Sequence, residues 1–341
     1  MTDTLKGSPT QTAATTEAPL PWPLLALPWG AVGALLLGWL VFPDLLGRLA
    51  FVPLLLSVVL FGLPHGALDH LVPGKLGWRW GRRPAWVLLF GLAYAGLTGL
   101  YLLAWRGAPL PAFWLFLLVS ALHWGQGDLH FLETGLGRRR PGRWSAPLAI
   151  LARGSLPILV PLLAFTGDFE RLASGAALAF GGSPAPSPLL GPEMRGLLTA
   201  ALGASLALYV LDTWRAAASP RRLTLELGEA ALLLLLFLTV PSPLSIGVYF
   251  TLWHAWRHLG RLLALGPPEQ RPSVRRLARD LLPITLAALG MLGGLYLWAA
   301  PRVATVEAFT ALYLALIAAL TLPHAAVVAL MDLRPGGSTP R

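Results

Sequence analysis

The stretch Phe61-Gly62-Leu63-Pro64-His65-Gly66-Ala67-Leu68-Asp69-His70 ends a long apolar run in two imidazoles and a carboxylate. Ionisable groups are costly in hydrocarbon, so such a cluster on a membrane segment is first read as functional. Outward from it, stretches almost without charge recur from Leu24 to Met331. The 341 residues are 55% apolar and 12% charged, against about 25% charged in ordinary soluble domains. Period-two alternation is missing, and open sheet cannot sit in lipid. The expected fold class is therefore all-α: a polytopic integral membrane helical bundle of about ten transmembrane helices. It is expected to form one transmembrane domain over 24–331. A polar, disordered N-terminus (1–23) and a short tail (332–341) flank it, both cytoplasmic.

The ten expected segments are 24–42, 49–70, 85–105, 111–132, 145–166, 194–214, 223–240, 244–264, 279–299 and 304–331, each near the ~20 residues needed to cross. The boundary at Pro241-Ser242-Pro243 reads either as a break between two spans or as a kink. Loop charge supports the count. Lys6, the basic clusters at 75–83, 138–143, 215–222 and 271–276, and Arg334 and Arg341 put 17 basic residues on one side; Arg48, Arg106, Arg171 and Arg302 leave 4 on the other. The positive-inside bias then places both termini in the cytoplasm and the protein in the cell's inner membrane. The longest outer loop, 167–193, is rich in Gly, Pro and Ser and reads as a mobile connector. Trp78, Trp80, Trp86, Trp105, Trp114 and Trp144 read mostly as an interfacial aromatic belt.

The formal charge of +10 is spread in short clusters between apolar segments, which topology explains and nucleic acid does not. The absence of cysteine excludes disulfides, thiolate metal sites and iron–sulfur ligation. Residues 1–20 lack the organisation of a cleaved signal peptide, so the first apolar segment is expected to stay as a helix.

All seven histidines fall on even-numbered segments: His65 and His70, His123 and His130, His254 and His258, and His324. At a rise of about 1.5 Å per residue, His65, His123, His254, His258 and His324 share a layer ~8 Å thick in the cytoplasmic half. His254 and His258 are i,i+4 on one helical face, a spacing that lets two imidazoles bind one ion. His123 and His130 share a face two turns apart, so only one of them can be a direct ligand, and His123 fits the layer better. His65 and Asp69 share a face, and Asp69 can orient an imidazole; Asp128 can do the same near His123. His70 and His130 read as interfacial residues, and Arg257 as a snorkelling or lipid-phosphate-binding residue. A single histidine in a membrane helix commonly just ties two helices together; several at one depth favour a metal site. An all-imidazole set allows Fe, Zn, Cu or Ni. Membrane depth points to an apolar ligand.

Pro64-His65-Gly66-Ala67-Leu68-Asp69-His70, Leu122-His123-Trp124-Gly125-Gln126-Gly127-Asp128, Tyr249-Phe250-Thr251-Leu252-Trp253-His254-Ala255-Trp256-Arg257-His258 and Pro323-His324 together resemble the Brp/Blh family of membrane β-carotene 15,15′-dioxygenases. The resemblance runs in order from about residue 45 to 332. It implies cleavage of the central 15,15′ double bond of β-carotene with O2 to two all-trans-retinal. It implies Fe(II) held by His65, His123, His254 and His258, the catalytic set, with Asp69, Asp128 and His324 as candidates to support it. It also implies a functional link to a microbial rhodopsin that uses the retinal. Membrane lipid is the surrounding partner, and the carotene would enter from it.

Other readings are less well served. Membrane diiron desaturases carry His-x-x-His-His clusters, which this sequence lacks. A proton or metal transporter would be expected to show repeated halves or paired broken helices. A non-enzymatic carotenoid- or retinal-binding accessory protein for rhodopsin biogenesis is the alternative that the residues leave open.

Overall fold

The computed structural model describes residues 20–57, 66–76, 78, 81, 83–264 and 273–332. Every regular element among the described residues is helical. The first four helices are α1 (Trp22–Val41), α2 (Pro43–Arg48), α3 (Val52–Ser57) and α4 (Val72–Lys75), followed by α5 (Pro84–Gly107), α6 (Pro109–Gly135), α7 (Ser145–Ala164) and α8 (Thr166–Ala179). Then come α9 (Pro192–Ala216), α10 (Pro220–Thr239) and α11 (Ser242–Tyr249). A π-helical turn, Phe250–Ala255, joins α11 to α12 (Trp256–Ala264), and α13 (Val274–Ala299) and α14 (Val306–Asp332) follow. Proline opens α2, α5, α6, α9 and α10. At the first helical position its missing N–H costs nothing and its fixed φ suits the helix.

Among the described residues, six helices are long and apolar enough to cross a membrane: α1, α5, α7, α9, α13 and α14. The protein is a helical membrane protein, but the count of ten goes beyond these six. The shortfall has a physical cause. α6 carries His123, Gln126, Asp128, His130 and Glu133 in its second half, and α10 carries Arg221, Arg222, Glu226 and Glu229. These two helices carry part of the polar interior and miss the criterion, whereas α7 and α14, with Arg153 and His324, meet it.

The second expected segment, 49–70, is not one continuous helix. α3 is described as far as Ser57, Leu49–Phe51 are not helical, and Asp69–Leu71 form a 3₁₀ turn that leads into α4. Proline in the first turn of α4 starts a new helix there. Residues 58–65 lie outside the described residues, and His65 with them. At 241–243 the break is real: Val240 and Pro241 are extended, and α11 begins at Ser242. The outer loop is also more ordered than its composition suggests. It contains α8, and Glu170 holds the segment after it, accepting from Leu189 N at 2.6 Å and Ser187 Oγ at 3.1 Å. Asp168 Oδ2 accepts from Ser242 N at 3.1 Å, satisfying one of the first N–H groups of α11.

The central contact is between α6 and α7. A Cβ on Gly125 would collide with the Ile150 carbonyl, and one on Gly154 with the Ala121 carbonyl. Such backbone-to-backbone approach through small residues is how helices associate in lipid. Trp105 lies in the core, 1% exposed and stacked on Phe180 at 5.9 Å, rather than in an interfacial belt. Trp144 is exposed as a belt residue would be.

Candidate metal centre

Four helical elements bring imidazoles together: α6 supplies His123, the π turn His254, α12 His258 and α14 His324. All four side chains are buried. The His123 ring centroid lies 4.9 Å from His254, 4.8 Å from His324 and 6.5 Å from His258. His258 and His324 are 5.0 Å apart, and His254 and His258 lie nearly parallel at 6.4 Å. The i,i+4 spacing and the shared depth in the bundle thus bring His123, His254 and His258 together. Gly127 faces the site on α6, where a Cβ would touch the His254 ring at 3.4 Å, an ordinary van der Waals contact. π-helical turns are rare and recur at functional sites; here one carries His254.

Asp69 enters from the 3₁₀ turn. Its Oδ2 accepts from His324 Nδ1 at 2.8 Å and from the Tyr94 hydroxyl at 3.3 Å. Tyr94 also reaches the Leu320 carbonyl at 3.1 Å. Were the proton of this contact on His324 Nδ1, the Nε2 of His324 would be the nitrogen that could face a metal. One donor atom each from Asp69, His258 and His324 lies within 4.8 Å of the others. A buried set of imidazoles with a carboxylate at the edge, and no thiolate, fits a first-row divalent ion such as Fe(II).

Asp69 therefore meets an imidazole from the far end of the chain, 255 residues away, and the described residues do not test the local His65 pairing expected for it. Asp128, expected near His123, has partners on two other elements. Its Oδ2 lies 2.8 Å from Arg153 Nη2, and its Oδ1 accepts from Trp253 Nε1 at 3.2 Å. Arg257 is buried and neither snorkels nor reaches lipid: it pairs with Glu229 and lies 3.6 Å from Asp128. Arg153 bridges the two acids, reaching Glu229 at 3.0 Å. Arg153 and Glu229 escaped the sequence reading, although a charge in the middle of an apolar segment was the available signal. A second buried network joins Arg138 to Asp212, Glu226 and Thr213, with the Tyr209 hydroxyl donating to Glu226 at 2.8 Å. His70 lines a chamber described below, its Nδ1 2.9 Å from the Ala67 carbonyl oxygen. His130 is seven residues from His123 along α6, about 10 Å up the helix axis.

Two apolar chambers flank the imidazoles, His123 lining one and His324 the other. One is narrow, about 60 Å³, and runs from His123 past Phe113, Phe116, Trp124 and Phe169. The other, about 450 Å³, runs from Asp69 and His324 past Tyr94, Phe90, Ala288 and Met291. Ile317 and Thr321 of α14 line both. Val87 and Met291 line the larger chamber while being 39% and 40% exposed, so its wall between α5 and α13 reaches the protein's outer surface.

The family model described as beta-carotene 15,15′-dioxygenase matches residues 56–332. The chain is 37% identical to a protein of Halobacterium salinarum named "Probable beta-carotene 15,15′-dioxygenase Blh", over 91% of this chain and 92% of that one. It is 24% identical to a "Beta-carotene 15,15′-dioxygenase" of an uncultured marine bacterium, over 78% of this chain and 88% of the other. A second Halobacterium salinarum protein, named "Probable beta-carotene 15,15′-dioxygenase Brp", is 27% identical over 62% of this chain and 58% of its own length. No solved structure matches.

Proposed function

This chain belongs to the β-carotene 15,15′-dioxygenase family, and on that premise we propose that it cleaves the central double bond of β-carotene with O2 at a histidine-held Fe(II) within the bilayer. One C40 carotene and one O2 give two C20 aldehydes, all-trans-retinal, with one oxygen atom in each. The observation that carries this reading is the position of the imidazoles between two apolar chambers, one lined by His123 and the other by His324. A long polyene lying through both would present its middle, not its end, to the site.

His123, His254, His258 and His324 would hold the ion, with Asp69 fixing the tautomer of His324. His65 joins this set on the family resemblance. Bound Fe(II) supplies the one-electron chemistry by which O2 reacts with an alkene. The chain does the rest. The larger chamber, open toward lipid between α5 and α13, admits the substrate, which needs no charged group to bind it. Phe113, Phe116 and Phe169 must rotate to widen the narrow chamber for the second half. The apolar walls exclude water and hold the polyene against the imidazoles. No side chain needs to act as acid or base, because cleavage to two aldehydes moves no proton.

The catalytic domain, expected over 24–331, sits in the cell's inner membrane with both termini cytoplasmic, a placement supported by loop charge. The retinal would supply a microbial rhodopsin. The test is expression in bacteria that accumulate β-carotene, beside a His254→Ala variant. Loss of orange pigment with appearance of retinal is expected for the wild type alone. Pigment retained with both proteins in the membrane would favour a carotenoid-binding accessory role.

A further inference from the structure

The four buried charges behind the imidazoles have no part in the chemistry above. Two carboxylates, Asp128 and Glu229, and two guanidinium groups, Arg153 and Arg257, come from α6, α10, α7 and α12, and their formal charges cancel. All four are 5% exposed or less. Burying such a group of charges costs desolvation, and an apolar replacement of similar shape is often as stable, so stability alone is a poor reason for it. Its partners suggest another. Trp253 directly precedes His254, and Arg257 directly precedes His258. Trp253 donates to Asp128 at 3.2 Å, and the Arg257 guanidinium lies 4.3 Å from the Trp253 ring and 3.7 Å from that of Phe131. Trp29 donates to Glu229 at 2.9 Å, holding the far corner. The network thus grips the back of the same segment whose front carries two imidazoles.

That segment is π-helical from Phe250 to Ala255. A π turn holds an extra residue, so relaxing it to α geometry shifts every later side chain by about 100° around the axis. His258, and with it the His254–His258 pair, would leave the cluster. We infer that Asp128, Arg153, Glu229 and Arg257 are positioning residues that lock the π register of this segment and so aim His254 and His258 at the metal. The inference rests on the proposed reading of these two histidines as ligands. A single buried polar contact that fixes helix register has precedent in other folds.

The test is Co(II) titration of the full-length, metal-free protein in detergent, read by visible absorption, with kcat and KM measured on the iron-loaded protein. The variants are Asp128→Asn and Trp253→Phe, the second removing one hydrogen bond and no charge. Asp212→Asn, in the other buried network, controls for lost stability, and His254→Ala tests the parent reading. Asp128→Asn is expected to weaken Co(II) binding about 10- to 100-fold, to change the shape of the cobalt spectrum, and to lower kcat with KM within about threefold. Trp253→Phe should show the same change in spectrum with a smaller loss, and Asp212→Asn should leave the spectrum as in the wild type. A wild-type spectrum and affinity in Trp253→Phe, whether or not Asp128→Asn folds, would overturn the inference. Wild-type cobalt binding in His254→Ala would instead overturn the ligand assignment beneath it.

Discussion

Replacing Asp69 with Asn changes one atom of a buried contact. Asp69 is 2% exposed, and its Oδ2 accepts from His324 Nδ1 at 2.8 Å and from the Tyr94 hydroxyl at 3.3 Å. The amide can still accept but carries no charge, and its NH2 can compete for the same position, so the tautomer of His324 is no longer fixed. A charge-assisted hydrogen bond contributes about 1.5–3 kcal/mol. At about 1.4 kcal/mol per tenfold, that agrees with the roughly 10- to 100-fold loss of metal affinity seen when such supporting groups are removed. Tyr94→Phe removes only the longer bond, which Tyr94 shares with the Leu320 carbonyl at 3.1 Å, and should cost about 0.5–1 kcal/mol, a few-fold. The assay is Fe(II) or Co(II) titration of the metal-free protein in detergent, with retinal formation measured at saturating metal. The expected order of affinity is wild type, Tyr94→Phe, Asp69→Asn, His324→Ala. Binding by Asp69→Asn within twofold of wild type, or weaker binding by Tyr94→Phe than by Asp69→Asn, would refute the assignment of His324 as a ligand held by Asp69.

Other outcomes follow from the packing and the chambers. Gly154→Ala should unfold or misassemble the protein, since its Cβ would collide with the Ala121 carbonyl and neither helix backbone can yield; a loss of at least 1–3 kcal/mol would lower the unfolding temperature in detergent. Ala288→Trp should fill the larger chamber and cut kcat/KM for β-carotene at least tenfold with Co(II) affinity unchanged. Glu170→Ala, by freeing the Leu189 N–H and the Ser187 hydroxyl, should make the segment after α8 sensitive to limited proteolysis while retinal formation persists. Removing metal with a chelator should abolish retinal formation, and Fe(II) should restore it better than Zn(II).

What could be read from the sequence was what depends on local runs and on counting along them. The apolar stretches at 85–105, 145–166, 194–214 and 304–331 became α5, α7, α9 and α14 with ends shifted by a few residues. His123, His254 and His258 could be grouped because depth is a residue count, and the structure brings their rings together. What could not be read was the identity of distant partners. Asp128 lies on the helix that carries His123, yet it turns to Arg153 on α7 and Trp253 on the π turn. Asp69 found His324, a pairing that no helical period predicts. Arg257 looked like a surface cation because a sequence does not show that Glu229 waits opposite. The π turn itself has no side-chain signature, since it is a shift in backbone hydrogen bonding. His65, the first histidine singled out, lies outside the described residues.

The most direct test of central cleavage at the histidine cluster is the product stoichiometry of purified, iron-loaded protein given β-carotene and O2. Two all-trans-retinal per carotene and per O2 consumed, with turnover proportional to bound iron and lost in His123→Ala, is the predicted result. Apocarotenals of unequal length, or retinal formed without regard to iron content, would contradict it.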